Sequence, residues 1–383
     1  MNFDFTSEQT QLADAVRRFV EKSYQFETRR KTVATGTGTS DAAWSQLVEL
    51  GLLALPMPEA AGGFDGTAVD LLLVMQELGR GLVAEPFFAT VFAAEIVKRS
   101  GHRSELLEAV ASGSLKLAAA LVEPEARHAL NAPRTRAKAS GAGYVIDGRK
   151  TAVIYGAQAD RLVVSADAAQ GLALFVVDAN APGVARKDHR VLDGQRVADI
   201  TFTGVEVAAD DLLASGDEAR AILDHATDYG VALLCAEAIG VMEALNAATL
   251  DYAKTRKQFG QPIARFQVLQ HRMVDMFVHL EQARSMAYLA AGRMGADATE
   301  RRRAVSAAKV RVGQAARFIG QQAVQTHGGM GVTDELFAAH LFKRLAMIEV
   351  TLGDTDHHLQ RFIEADQSQR ARAAAPVALQ RAA

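Results

Sequence analysis

The distribution of proline is the feature that most constrains the fold of this 383-residue chain. Pro262 is the only one of the eight prolines that lies between residues 183 and 375. Because proline breaks the interior of a helix, this long stretch can be almost entirely helical. Its apolar periodicity predicts helices over about 218–254, 264–293, 301–327 and 333–366.

The first third of the chain also carries a helical pattern. The run Thr6-Ser7-Glu8-Gln9 predicts a capping box, in which the hydroxyl and the amide oxygen each accept a bond from the other residue's backbone N–H. Leu12 and Val16 then begin an apolar repeat at helical spacing. These signals predict an N-terminal helical domain over residues 1–116.

The periodicity changes between residues 117 and 216. Short runs of β-prone residues alternate with turns that contain Gly, Asp or Asn. These runs lie at 144–148, 161–165, 172–177 and 200–202. They predict a small, mostly antiparallel β domain over 117–216, followed by a C-terminal helical bundle over 217–370 and a tail over 371–383. The predicted fold class is therefore mainly α with a middle β domain.

Composition excludes several classes of function. The net charge is −3 and there is no long basic run, which argues against a nucleic-acid partner. No unbroken apolar stretch approaches the ~18 residues that span a bilayer, and Met1–Phe5 does not resemble a signal peptide. Cys235 is the only cysteine, which excludes an internal disulfide and fits a reducing compartment. We therefore expect a cytoplasmic protein with no membrane partner.

The densest group of polar and charged residues runs from Tyr252 to Ile263 and is followed by Phe266-Gln267. A helix with cations in its last turn ends near Phe259-Gly260. These cations can simply complement the helix dipole. Alternatively, Arg256 can act as a planar donor that binds a phosphate. Spacing alone leaves both interpretations open.

A second group, Gln325-Thr326-His327-Gly328-Gly329-Met330-Gly331, lies near the end of a later predicted helix. Its glycines can form an ordinary C-cap. They can also mark a place where a ligand closely approaches the backbone, since glycine has no Cβ to intervene. Neither group of residues decides the function alone.

Taken together and in this order, the two groups resemble the acyl-CoA dehydrogenase family. The similarity rests on YAKTRKQFGQPIARFQ, on QTHGG beginning 58 residues after Gln267, and on the loop PEAAGGF. The resemblance implies an N-terminal helical domain, a β-barrel-like middle domain and a C-terminal four-helix bundle. It also implies association into dimers or tetramers, with FAD at a subunit interface.

The same resemblance implies a set of cofactor-binding residues. In the family, the matching positions reach the FAD of a neighbouring subunit and hold its pyrophosphate and adenosine end. In this chain those positions are Arg256, Phe259, Gln267, Gln325, Gly328 and Gly329. Their chemistry agrees with the role, because guanidinium binds phosphate and side-chain amides bind polar cofactor groups.

The departures from the family lie at the flavin ring. Where the family has Thr-Glu-Pro-x-x-Gly-Ser-Asp, this chain keeps only the Glu and Pro, as Glu123-Pro124. Where the family has Trp-Ile-Thr-Asn, with the Thr bonded to the isoalloxazine ring, this chain has Ala152-Val153-Ile154-Tyr155. Ile154 cannot donate a hydrogen bond. The ring half of this chain's own flavin site is therefore predicted to be degraded.

The family's catalytic base is also missing. A Glu normally removes the α-proton of the CoA thioester. Its position falls on Leu352 when counted from Gly329, on Asp354 when aligned from Gln360-Arg361, or on Gly230 by the pattern of other members. Asp354 is the one candidate base, and its alternative role is to cap a turn.

A metal site is not expected at the adjacent pair His357-His358. Neighbouring residues on a helix point ~100° apart, and no third ligand is close in sequence.

These observations favour a subunit of an FAD-dependent acyl-CoA dehydrogenase that desaturates an acyl-CoA substrate at the α,β bond. Its role would be that of a non-catalytic partner that completes the flavin site of a catalytic subunit. The run from Phe342 to Leu359 is most similar to the small subunit of pimeloyl-CoA-type heteromers. One alternative is a homo-oligomeric enzyme that uses Asp354 as base. The other is a flavin-free structural subunit.

Overall fold

The structure is a computed structural model that describes residues 4–374. The chain divides into two compact units, residues 4–230 and the residues from 231 onward. Of the predicted tail over 371–383, the first four residues continue the last helix, and the others lie outside the described residues.

The first unit begins with a helix whose N-terminus follows from local sequence. Thr6 and Gln9 form the predicted capping box: Thr6 Oγ1 accepts from Gln9 N at 3.2 Å, and Gln9 Oε1 accepts from Thr6 N at 2.9 Å. The helices that precede the sheet are α1 (Ser7–Ser23), α2 (Phe26–Ala34), α3 (Asp41–Glu49), α4 (Ala68–Arg80), α5 (Phe87–Ser100) and α6 (Ser104–Ala111). The prediction of an N-terminal helical region is confirmed.

A mostly antiparallel sheet follows in the same unit. Its strands are β1 (Leu117–Ala120), β2 (Arg136–Ser140), β3 (Gly143–Ile154), β4 (Arg161–Ala168), β5 (Gly171–Asp178), β6 (Val184–Arg190), β7 (Arg196–Ala208) and β8 (Leu212–Ser215). They pair in the order β6-β7-β3-β2-β4-β5-β8, and β1 runs parallel to β4. Alternate residues such as Leu162, Val164 and Phe175 form the core, as the period of two along a strand requires.

The remaining helices form the predicted C-terminal bundle. They are α7 (Gly216–Thr255), α8 (Gln267–Gly292), α9 (Ala298–His327), α10 (Phe337–Val350) and α11 (Thr355–Ala374), with a short hairpin of β9 (Lys257–Gln258) and β10 (Gln261–Pro262) between α7 and α8. Helix α9 packs against α8, α10 and α11. The predicted fold class, mainly α with a middle β domain, is confirmed.

The prediction of one helix over 333–366 is wrong. The chain leaves the helix after Val350 and starts a new one at Thr355. Between them Leu352 has φ +55° and Gly353 has φ +109°. These left-handed backbone conformations cannot belong to a right-handed helix, so α10 and α11 are separate elements.

Within residues 4–374, α7 is the one helix that is both long and apolar enough to cross a bilayer. Its mean hydropathy is 1.6 over its most apolar 18 residues. However, 72% of that window is buried within the structure. This burial is typical of a core helix.

Candidate functional site

The hairpin after α7 presents an aromatic side chain at its tip. Phe259 and Gly260 occupy the turn with φ +52° and +79°, the two positive values that a type I′ turn requires. Phenylalanine is strained in this conformation, which Asn, Asp and Gly adopt more readily. The Phe259 side chain is 90% exposed, and its ring forms a T-shaped pair with that of Phe266 at 6.0 Å between centroids. The packing of the described residues therefore does not explain an aromatic side chain at this turn.

Three of the predicted site residues carry polar side chains. Arg256 follows the last residue of α7, Gln267 begins α8, and Gln325 lies in the last turn of α9. All three are exposed, and within residues 4–374 their side chains form no hydrogen bond or ion pair. Their donors and acceptors are therefore available to an external ligand.

The two glycines that follow α9 have different backbone conformations. Gly328 ends α9 with φ +64°, a conformation that favours glycine. Gly329 has no positive φ, and a Cβ added there would meet nothing within 4 Å. Among the described residues 4–374, neither the backbone conformation nor the packing explains glycine at 329.

Both segments lie in the second unit and are adjacent. Tyr252, one turn before Arg256, packs against His327, which directly precedes Gly328, with ring centroids 4.5 Å apart. The structure thus brings together the two ends of a predicted site that are far apart in sequence. We call the predicted residues around this contact the exposed cluster: Arg256, Phe259, Gln267, Gln325, Gly328 and Gly329. Their roles toward FAD stay predictions.

The segment expected at a flavin ring, residues 150–155, is organised differently. We call it the ring segment. It contains a β-bulge between Lys150 and Val153, and Ala152 and Tyr155 have φ +51°. Its hydroxyls are bonded within the chain: Thr151 Oγ1 donates to Asp199 Oδ1 at 2.5 Å, and Tyr155 Oη donates to the Ala84 carbonyl. The Thr151 hydroxyl also lowers the pKa of Asp199.

Glu123, the acidic residue that this chain keeps from the Thr-Glu-Pro-x-x-Gly-Ser-Asp motif, is buried and accepts several hydrogen bonds. It accepts from Lys150 Nζ at 2.7 Å, Arg134 N at 2.6 Å and Thr135 N at 3.0 Å. Burial by itself raises the pKa of Glu123, but these hydrogen bonds outweigh it and lower the pKa to about 2. Burial lowers the pKa of Lys150 to about 8. Glu123 therefore ties the loop before β2 to the sheet.

Asp354, the candidate base, caps a helix. Its Oδ1 accepts from the backbone N–H of His357 at 2.8 Å, the third residue of α11. This is the geometry of an N-cap carboxylate. Of the other two matched positions, Leu352 carries no acid and Gly230, inside α7, has no side chain. The contact matches the alternative role of Asp354, which is to cap a turn.

Sequence analysis missed the buried polar groups that hold the 351–354 loop. Lys309 on α9 is fully buried and donates to the carbonyls of Ile348 and Thr351 at 2.5 and 2.8 Å, which satisfies carbonyls at the C-terminus of α10. His358 donates from Nε2 to the Leu352 carbonyl at 3.0 Å. Burial lowers the pKa of Lys309 to about 8 and that of His358 to about 2. No local sequence signal marks Lys309, and His358 stands out only as half of a His pair that is not expected to bind a metal.

A second buried pair in the same unit joins α7 to α10. Arg344 forms a bidentate ion pair with Glu237 at 2.6 and 2.7 Å. Cys235, two residues earlier, is also buried, and burial raises the pKa of its thiol to about 12. This cysteine is therefore an unreactive packing residue. Within the described residues, no group of three or more His, Cys, Asp or Glu side chains could hold a metal ion.

Three models of known protein domains match this chain in order along its length. Models of the N-terminal, middle and C-terminal domains of acyl-CoA dehydrogenases match residues 6–114, 118–205 and 221–365. The probable acyl-CoA dehydrogenase YngJ of Bacillus subtilis is 28% identical over 96% of this chain and 99% of its own length.

Two solved structures are similar over nearly the whole chain. A variant of the Tcur3481-Tcur3483 steroid acyl-CoA dehydrogenase is 28% identical with a TM-score of 0.87, over 95% of this chain and 99% of the other. The ChsE4-ChsE5 complex of Mycobacterium tuberculosis is 26% identical with a TM-score of 0.87, over 98% and 100%. With all three domain models matched in order, this chain belongs to the acyl-CoA dehydrogenase family of oxidoreductases, which act on CH–CH bonds.

Proposed function

We propose that this chain is the non-catalytic subunit of a heteromeric, FAD-dependent acyl-CoA dehydrogenase. A second subunit would hold most of the flavin and supply the catalytic base. One observation carries the proposal: the side chains of Arg256, Gln267 and Gln325 have no partner among the described residues, whereas the hydroxyls of the ring segment are bonded internally. When bound, FAD supplies the hydride acceptor for α,β-desaturation of an acyl-CoA.

The exposed cluster fits the charged tail of that cofactor. The guanidinium of Arg256 would donate to the pyrophosphate, and this pairing is favoured by both charge and planar geometry. The amides of Gln267 and Gln325 would bond to polar groups at the adenosine end. The bare backbone at Gly329 would allow the cofactor to approach closely.

The same unit carries apolar side chains that favour association with another subunit. Phe259 is 90% exposed, and on α8 Val268, Val274 and Phe277 are 67%, 59% and 58% exposed. Exposed apolar residues that gather on one element are typical of interaction surfaces. The Tcur3481-Tcur3483 and ChsE4-ChsE5 structures each pair two differently named proteins. They support a heteromer here, and the resemblance to pimeloyl-CoA-type small subunits is part of the same proposal.

The 351–354 loop supports a non-catalytic role. A general base must reach the proton that it removes, and misplacement by about 1 Å can cost ~10²-fold in rate. The Asp354 carboxylate accepts from the backbone of α11. The carbonyls of Thr351 and Leu352 accept from Lys309 and His358. This loop therefore offers no carboxylate that is free to act as a base.

The test is to express this chain alone, the nearest-encoded acyl-CoA dehydrogenase alone, and the two together. We expect the lone chain to be colourless and inactive, and the purified complex to show visible flavin absorbance and turnover. Full flavin content and turnover in the lone chain would contradict the proposal.

A substitution then tests the exposed cluster within that complex. Arg256→Ala should weaken FAD binding by about 10- to 100-fold, since a hydrogen bond to a charged group is lost. Arg18→Ala is the matched control, because Arg18 is an exposed arginine of the other unit. If the complex forms but Arg256→Ala keeps its FAD affinity, this chain is a structural subunit that does not contact the flavin.

A further inference from the structure

An aromatic pair connects the two halves of the exposed cluster. Tyr252 lies in the last turn of α7, and His327 is the last residue of α9. Their ring centroids are 4.5 Å apart with an interplanar angle of 33°, and Tyr252 Oη donates to the His327 carbonyl at 3.4 Å. Arg256 follows Tyr252 by one turn, and Gly328 follows His327 directly. The pair therefore bridges elements that are 75 residues apart in sequence.

The orientation of the His327 ring is fixed from the other side. Its Nδ1 lies 2.8 Å from the Ala323 carbonyl, and since a carbonyl only accepts, Nδ1 carries the proton. The side chain is 3% exposed. A ring held in this way at the end of α9 gives Tyr252 a rigid surface to pack against, directly before the left-handed Gly328.

We infer that Tyr252 and His327 are positioning residues that set the distance between the Arg256–Phe259 hairpin and the Gly328-Gly329 turn. The inference rests on the proposed function, because both segments must contact one dinucleotide. Binding groups must be held to within about 0.5 Å of their productive geometry to act together. The hairpin follows α7, and the Gly328-Gly329 turn follows α9. The ring contact joins Tyr252, one helical turn before Arg256, to His327, which directly precedes Gly328.

A double-mutant cycle in the co-expressed complex tests this role. FAD dissociation constants are measured by titration for wild type, Tyr252→Leu, Arg256→Ala and the double variant. We expect Tyr252→Leu to weaken FAD binding by about tenfold in the wild-type background and by less than about twofold in the Arg256→Ala background. Tyr252→Phe keeps the ring and should retain the affinity to within about twofold. Thermal midpoints report stability separately.

The outcomes separate this inference from the proposal beneath it. If Arg256→Ala itself leaves FAD binding unchanged, the proposed function fails and the inference falls with it. If Arg256→Ala weakens binding but Tyr252→Leu has no effect, or has the same effect in both backgrounds, only the positioning role is overturned. Should Tyr252→Leu fail to assemble, His327→Leu replaces it in the cycle. Failure of both to assemble would make the pair a core contact and overturn the inference.

Discussion

The exposed cluster and the ring segment differ in where their polar groups find partners. In the exposed cluster, Arg256, Gln267 and Gln325 have no side-chain partner among the described residues. In the ring segment, Thr151, Tyr155 and Lys150 all bond to other parts of their own unit. Polar groups that are removed from solvent need hydrogen-bond partners, and those of the ring segment find them within their own unit. The proposed function predicts this difference, because it needs an external group at the exposed cluster and none at the ring segment.

The largest expected effect on the free energy of unfolding is at the ring segment. Lys150→Met leaves Glu123 as a buried carboxylate whose remaining donors are the backbone N–H groups of Arg134 and Thr135. Removing one partner of a buried ion pair costs about 3–5 kcal/mol. We expect the free energy of unfolding, from urea denaturation of the lone chain, to fall by this amount. Arg256→Met is the control and should change it by less than about 0.5 kcal/mol. Equal effects of the two substitutions would mean that the ring segment and the exposed cluster do not differ in this way.

The next prediction concerns the loop where a base would lie. Burial lowers the pKa of His358 to about 2, so below pH 6.5 the unfolded chain binds a proton that the folded chain does not. The stability that this residue confers is present above pH 6.5 and is lost as pH falls. Between pH 7 and pH 5 the loss should be about 2 kcal/mol, from the unfolded-state pKa alone.

Urea denaturation at the two pH values measures this loss against a variant. His358→Gln should have a pH dependence that is smaller by that ~2 kcal/mol, whereas His357→Gln, at the neighbouring and less buried position, should keep the wild-type dependence. An unchanged pH dependence in His358→Gln would mean that the imidazole accepts a proton in the folded state. His358 would then not be the buried neutral donor that holds the Leu352 carbonyl.

Two glycines extend the comparison to backbone positions. Gly353 has φ +109°, and an added Cβ would lie 2.5 Å from His357 Cδ2 and 2.7 Å from His358 Nε2. Gly353→Ala should therefore destabilise the lone chain by about 1–3 kcal/mol. Gly329→Ala meets nothing within 4 Å and should leave stability within about 0.5 kcal/mol.

The second effect of Gly329→Ala should be on the cofactor. In the co-expressed complex we expect FAD binding to weaken by about tenfold, which corresponds to ~1.4 kcal/mol. The measurement is titration of the flavin-depleted complex. Unchanged affinity with unchanged stability would leave glycine at 329 without a ligand-based reason.

Local signals made part of the structure predictable from sequence. The capping box of Thr6 and Gln9 depends on residues three apart, and the turn near Gly260 depends on adjacent ones. The resemblance supplied the residues of the exposed cluster, but it did not predict that Phe259 is strained and 90% exposed. The register of the hairpin, in which Gln258 pairs with Gln261, places Phe259 in the turn.

Long-range contacts made the rest unpredictable. Glu123 and Lys150 are 27 residues apart, and Lys309 and Ile348 are 39 apart, so no local pattern marks either pair. The break between α10 and α11 was missed for the same reason. Leu352 favours a helix by propensity, but its left-handed conformation accompanies a carbonyl bonded to the buried His358.

The smallest effect is expected at Asp354 and separates a cap from a catalyst. Asparagine caps a helix about as well as aspartate, so Asp354→Asn should leave both stability and turnover of the complex nearly unchanged. Asp354→Ala removes the acceptor for His357 N–H and should cost about 1 kcal/mol of unfolding free energy without affecting the rate. A catalytic base would give the opposite result. Asp354→Asn would then abolish turnover while the flavin absorbance remained, and the 351–354 loop would carry chemistry after all.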